Sequence, residues 1–359
     1  MKIREIRPFL KNLELLKPYN IAYKTICEVE NVFLLITLEN GIIGVGSANP
    51  HEEVVGETPT QTLENCLTDH CQAIVGKDIR HFRSIIQDIR TTYPNKPGTQ
   101  AVWDIALHDA FAKYLDVSVV DIYGQCIHTL PTSVTIGIMD VTETLREAQE
   151  YNKMGFKIIK IKTGQEIDLD IERILKLHEN LKGITLRVDA NQGYGIDELM
   201  KFIQATEKTN LQLIEQPLPI GKENELNQIE ERIKKMLVAD ESLNSLKNAV
   251  NFATETPLFG NYNIKLMKCG GLIGAFEIAT IAMASEINLF WGCNDESIVS
   301  ITAALHAAFA CPNTKYLDLD GSFDLKEDIV SGGFDLKDGL LSINKKSGFG
   351  FELNSNMIL

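Results

Sequence analysis

The chain has 359 residues, 44% of them hydrophobic and 23% charged, and its formal net charge is -14. That length exceeds the roughly 250 to 300 residues at which one hydrophobic core stops growing, so two structural units are expected, folded throughout because no tract is of low complexity. The acidic balance, without any clustered Lys/Arg stripe, repels phosphate backbones and argues against a nucleic-acid partner.

No apolar run approaches the roughly 18 residues of a membrane span, and the charged opening MKIREIRPFLKNLELLK lacks a signal peptide's apolar stretch, which points to a cytoplasmic protein. The seven cysteines (Cys27, Cys66, Cys71, Cys126, Cys269, Cys293 and Cys311) contain no CxxC pair and read as reduced thiols.

Residues 1 to 125 read as an α+β unit. KIREIRPFLKNL and VFLLITLENGIIGVGSANP alternate like antiparallel strands, with Glu39-Asn40-Gly41 as the turn between two runs. TPTQTLENCLTDHCQAIV, IRHFRSIIQDIRTTY and GTQAVWDIALHDAFAKYL then have helical periodicity, Thr60 and Glu64 offering an imperfect start signal for the first.

From 126 to 321 short β-branched runs alternate with amphipathic helical stretches, the pattern of βα units. Eight runs are found: SVTIGI, FKIIKIK, ITLRVDA, LQLIEQ, MLVADES, YNIKLMK, INLFWGC and KYLDLD. The polar residues closing them, Thr135, Lys162, Asp189, Glu215, Asp240, Lys268, Cys293 and Asp318, follow one another 25 to 28 positions apart. Such regularity predicts an α/β fold, a TIM-like barrel whose strand ends converge on one mouth. Residues 322 to 359 contain two short strands, expected to pack back on the first unit.

The ring carries chemistry. Asp189, Glu215 and Asp240 form a hard-oxygen set without His or Cys, suited to Mg²⁺ rather than zinc. Lys160 and Lys162, two apart on a strand, face the same way, and each ammonium disfavours the other's charge, so a neutral amine below the usual value of about 10.4 is expected. Lys268, assigned to the sixth strand, stands across the mouth from Lys162. Two amines flanking a carbon beside a metal suit removal of a proton α to a carboxylate and its return to either face.

The motifs KIK (160–162), DAN (189–191), EQP (215–217), ADES (239–242) and KLMKCGG (265–271) resemble the enolase superfamily, muconate-lactonizing subgroup, over nearly the whole chain. AVWDIALHDAFAK is similar to the last helix of that family's capping domain. The resemblance implies a (β/α)7β barrel with an N-terminal α+β capping domain, Mg²⁺ on Asp189, Glu215 and Asp240, acid/base lysines Lys162 and Lys268, Lys160 at the substrate carboxylate, and Asn191 in support.

Asp318-Leu319-Asp320 resembles the DxD of dipeptide epimerases, whose paired carboxylates hold the substrate's α-ammonium group. The implied activity is epimerization of an L-Ala-L-Xaa dipeptide at its second residue. Thr135 aligns with a substrate contact, Asp295 and Glu296 fall where the seventh strand faces the pocket, and Lys24 sits where relatives specific for alanyl-glutamate carry an Arg. Lys24 favours an acidic second residue and Asp295 a neutral or cationic one, so specificity stays open. Ser47 and NKKSGFG depart from the family pattern. N-acylamino-acid racemase, o-succinylbenzoate synthase-like enzyme and non-catalytic binding protein are the alternatives; a homo-oligomer is left open.

Overall fold

The computed structural model describes residues 1–21 and 24–357, the side chains of 17–26 and 355 excepted. Strands β1 (Ile3–Ile21), β2 (Lys24–Leu38) and β3 (Ile43–Ala48) form an antiparallel sheet in the order β1-β2-β3. The expected turn links β2 to β3: Gly41 N donates to Leu38 O at 2.9 Å with φ of 86°, a left-handed geometry glycine adopts without a Cβ penalty.

Helices Pro59–Cys66, Phe82–Thr92 and Pro97–Leu115 follow. The first starts differently from the expectation at Thr60. Thr58 is the N-cap, its hydroxyl accepting from Gln61 N while Gln61 returns a carboxamide oxygen to Thr58 N. Pro97–Leu115 is buried along most of its length, from Gly98 to Ala112. It lies so close to β3 that a Cβ on Gly44 or Gly46 would meet the backbone oxygens of Ala106 and Val102.

After the short β4 (Thr129–Pro131) come the eight parallel strands: β5 (Val134–Ile136), β6 (Ile158–Lys162), β7 (Thr185–Asp189), β8 (Leu211–Glu215), β9 (Leu237–Ala239), β10 (Asn261–Ile264), β11 (Asn288–Trp291) and β12 (Thr314–Leu317). Each neighbours the next in chain order. A parallel bridge between Thr132 and Leu317, with Ser133 N donating to Leu317 O at 3.1 Å, joins the first to the last. Helices such as Ile167–Asn180, Ile196–Thr206, Leu272–Ala284 and Ile298–Ala310 stand between them. This is the expected barrel.

Inside, Leu213, Val238 and Phe290 pack with Tyr316 as a cluster separate from the main core. The buried guanidinium of Arg187 lies over the rings of Phe290 and Tyr316 and donates to Leu317 O at 2.7 Å. A filled interior leaves the strand ends as the place for ligands. β13 (Val330–Gly332) pairs with β16 (Phe351–Leu353), while β14 (Phe334–Lys337) and β15 (Leu340–Ile343) extend β4. The seven cysteines are free thiols.

Candidate active site

Parallel register sets the site. Lys162 pairs with Asp189 and Asp189 with Glu215 across β6, β7 and β8, so three charged side chains leave neighbouring strands at one level. Asp240 follows β9 directly. Asp189, Glu215 and Asp240 are each 2% exposed or less, and buried carboxylates without cations beside them would not stay ionised.

The cations are lysines. Lys160 Nζ lies 2.7 Å from Glu215 Oε2, 2.7 Å from Asp318 Oδ2 and 3.1 Å from Asp189 Oδ2. The sequence predicts mutual lowering between Lys160 and Lys162, and for Lys160 the structure reverses it. Burial disfavours the charge, but Asp189, Asp318 and Glu215 outweigh burial and hold the ammonium well above its usual range. Lys160 is a fixed cation.

Lys162 is more accessible, donating to Asp189 Oδ2 at 2.8 Å and to Asn191 Oδ1 at 2.9 Å. Asn191 has φ of 41° and Gln192 of 69°. Left-handed backbone there turns the chain sharply, and the Asn191 amide also donates to Glu241 Oε1 at 3.0 Å.

On the far side the structure corrects the reading of strand six. β10 ends at Ile264, so Lys268 is not at a strand end but on the helical turn Leu266–Cys269. It is 4% exposed, and its ammonium is spent on the Asp240 carboxylate, Asp240 O at 2.6 Å and Asn263 O at 3.0 Å. Burial holds its pKa below the usual lysine value.

Lys265 occupies the strand end. Asn263 donates from inside the barrel to Glu215 Oε1 at 2.6 Å, and a residue two further on projects to the same side. Lys265 Nζ reaches Asp240 Oδ2 at 2.7 Å. Burial opposes its charge, but Asp240 and Glu215 outweigh it and hold the ammonium above the ordinary range. The signal was present in NIK (263–265), where alternation points to Lys265; counting to the end of the apolar run overshot by three.

Asp318 and Asp320 have different surroundings. Asp318 Oδ1 accepts from Ser133 Oγ at 2.6 Å and Oδ2 from Lys160, so both oxygens are engaged. Burial, then Lys160, act on its carboxyl in opposite senses, and the net effect is below the usual range. Asp320 Oδ2 accepts from Thr135 N at 2.7 Å. Burial and the charge of Asp318 push its carboxyl up to about 7, the condition of a group short of a cation.

Glu296 is buried beyond β11, Oε1 accepting from Asn294 N at 2.8 Å, and burial pushes it up to about 7. Both Lys265 and Asp295 act on it electrostatically. Asp295 is half-buried. Lys24 begins β2, and its side chain lies outside the described residues.

The donor set suits a hard divalent cation: oxygen only, on three adjacent strands. Burial, then the charge of Asp189, push the Glu215 carboxyl up to about 8, so the cluster gains from added positive charge. Among the described residues no three His, Cys, Asp or Glu groups are turned to one point at ligand distance. The lysine ammonium groups hold the oxygens instead, and the residues fit the metal once those contacts yield.

Residues 4–124 match the mandelate racemase / muconate lactonizing enzyme N-terminal domain, and residues 143–357 match the enolase C-terminal domain-like family. A protein of Desulforapulum autotrophicum called L-Lys-D/L-Arg epimerase is 47% identical over 351 residues, covering 98% of this chain and 99% of that one. The crystal structure of a dipeptide epimerase from Methylococcus capsulatus complexed with Mg and L-Arg-D-Lys superposes with a TM-score of 0.95 at 42% identity, covering 98% and 99% of the two chains. One from Enterococcus faecalis complexed with Mg and L-Leu-L-Tyr gives 0.89 at 30%, covering 98% and 100%. With matched domains in both halves and a barrel whose strand ends carry its acids and lysines in register, the chain belongs to the mandelate racemase / muconate lactonizing enzyme family of the enolase superfamily.

Proposed function

We propose that this protein is a Mg²⁺-dependent dipeptide epimerase, inverting the α-carbon of the second residue by two-base proton transfer, with Lys162 and Lys265 as the bases. The observation that carries it is the row Lys162, Asp189, Glu215, Asp240, Lys265 over five consecutive strands: an amine at each end of three carboxylates. Strands β6 and β10 are four apart in a ring of eight, which sets the amines on opposite sides of the mouth.

Asp189, Glu215 and Asp240 would hold Mg²⁺, which supplies positive charge beside the substrate carboxylate as its α-carbon is deprotonated. Lys160, a fixed buried cation whose contacts with Asp189 and Glu215 the metal would replace, would orient that carboxylate with the donors so freed. One of Lys162 and Lys265 takes the α-proton as a neutral amine; the other, as ammonium, delivers a proton to the opposite face. Asp320, with Thr135 N on one oxygen, is the carboxylate placed for the substrate's α-ammonium, while Asp318 anchors Lys160. Lys268 neutralises Asp240 from behind and has no donor left for a substrate.

A cationic second residue is the favoured substrate class. Asp295 and Glu296 follow β11, and a substrate cation beside Glu296 would relieve the burial that raises its carboxyl; the relatives at 47% and 43% identity are called L-Lys-D/L-Arg epimerases. The test is incubation with Mg²⁺ in D₂O and a dipeptide library. Deuterium should enter the second α-carbon, fastest for Lys or Arg there; no incorporation with any dipeptide sinks the reading.

A further inference from the structure

The segment bearing Lys265 is gripped from the N-terminal sheet-and-helix unit. After β10 the chain makes the turn Leu266–Cys269, in which Leu266 O accepts from Gly270 N and Gly271 N at 3.0 Å each, and then enters helix Leu272–Ala284. Gly271 stands at that helix's N-cap position and contributes no side-chain cap. The cap comes from 168 residues away: Asp104, in the middle of helix Pro97–Leu115, accepts from Leu272 N at 2.8 Å and from Ile273 N at 3.2 Å. Negative charge at a helix N-terminus is favourable, the more so when buried, and Asp104 is fully buried.

The two helices meet at glycines. Gly270 and Gly271 have φ of 79° and 98°. A Cβ on Gly271 would lie 2.5 Å from Asp104 Cβ, and one on Gly270 would lie 2.2 Å from Gln100 Oε1. Asp104 is itself held. His108 Nδ1 lies 2.7 Å from Asp104 O and 3.1 Å from Asp104 Oδ1, both acceptors, so Nδ1 carries the hydrogen. His108 Nε2 is 2.5 Å from Tyr123 Oη, and the Tyr123 ring packs on Phe276 of helix Leu272–Ala284.

We propose that Asp104 is a positioning residue for the proton transfer: by clamping the far end of the 265–271 turn it sets where the Lys265 amine stands at the mouth. The inference rests on the two-base reading above. β10 fixes the near end of the turn and the Lys268 ammonium pins its middle to Asp240 O and Asn263 O, which leaves the far end to Asp104, and catalytic geometry tolerates little: a displacement of about 1 Å costs on the order of a hundredfold in rate. The Lys162 face is carried by β6, four strands away from β10.

The two faces can be read separately. A protein with an intact Lys162 and a displaced Lys265 still exchanges the α-proton on the Lys162 face with retention, while inversion needs both amines. General loosening of the fold lowers both alike. The experiment compares the unaltered protein with Asp104→Asn and Gln100→Ala, following each diastereomer of an Arg- or Lys-ending dipeptide in D₂O with Mg²⁺. Inversion by Asp104→Asn should fall roughly tenfold or more beyond any fall in retentive exchange on the Lys162 face; equal losses overturn the inference. If Asp104→Asn does not accumulate folded, Gln100→Ala decides, by the same asymmetry at smaller size or its absence.

No exchange by the unaltered protein would sink the epimerase reading alone. A crystal structure of the folded variant then reads the clamp without substrate: Lys265 displaced from Asp240 supports it, and Lys265 still in contact overturns it.

Discussion

Lys265 and Asp240 face each other at 2.7 Å, Nζ to Oδ2, while Lys268 holds the other oxygen of the same carboxylate. One acid thus stands between two lysines, one at the mouth and one behind it, and their substitutions separate their roles.

Lys265→Ala should fold, lose inversion by about 10² to 10⁴-fold, and keep retentive exchange on the Lys162 face. Lys268→Ala should instead destabilise the protein by about 3 kcal/mol, because it strips a buried carboxylate of a partner, and lower both exchange modes together. Denaturant melts and D₂O exchange on both variants check this; the opposite pattern returns the base role to Lys268.

Chelation followed by dialysis should abolish exchange, and Mg²⁺ should restore it. Bound metal should also stabilise the fold, by about 2.7 kcal/mol at a hundredfold excess over its dissociation constant, and Asp189→Asn should blunt that rise. Full activity after chelation would remove Mg²⁺ from the account.

Asp320→Asn should lower kcat/KM on dipeptides about 10- to 100-fold, mainly through KM, since a hydrogen bond to a charged group is worth about 1.5 to 3 kcal/mol. Unchanged KM would show that the α-ammonium is held elsewhere. Unimpaired activity of the variant on N-acylated amino acids would favour the racemase alternative.

Acid lability should trace to His306. The ring is 1% exposed and its Nδ1 accepts from Val120 N at 3.2 Å, so a proton there meets a donor. Burial depresses its pKa to about 3. Below about 6.5 the unfolded chain binds a proton that the folded chain refuses. Stability from this site is therefore full above about 6.5 and lost as pH falls toward 3, by about 1.4 kcal/mol per unit. His306→Asn, which keeps an acceptor, should flatten thermal midpoints between pH 7 and 5; an unchanged slope would assign the lability to other groups.

Much was legible from local pattern. Intervals of 25 to 27 residues between Thr135, Lys162, Asp189, Glu215 and Asp240 disclosed strands, barrel and acids together, because side chains alternate along a strand and register aligns its neighbours. The same logic failed at strand six. YNIKLMK reads as one apolar run, but its last residues form a helical turn, and periodicity cannot separate these in so short a segment. Thr58, rather than Thr60, starts a helix for a similar reason: capping depends on the local turn geometry as well as residue type.

By itself the sequence determined the three acids and the Lys160–Lys162 pair at the barrel mouth and therefore the class of chemistry, since both follow from alternation and spacing along one chain. Tertiary structure alone decided that Lys160 stays charged among Asp189, Glu215 and Asp318, that Asp318 and Asp320 differ in freedom, and that Asp104 reaches the helix after Lys265. The physical reason is that charge state and position depend on burial and on partners up to 168 residues away, contacts that no local pattern of residues encodes.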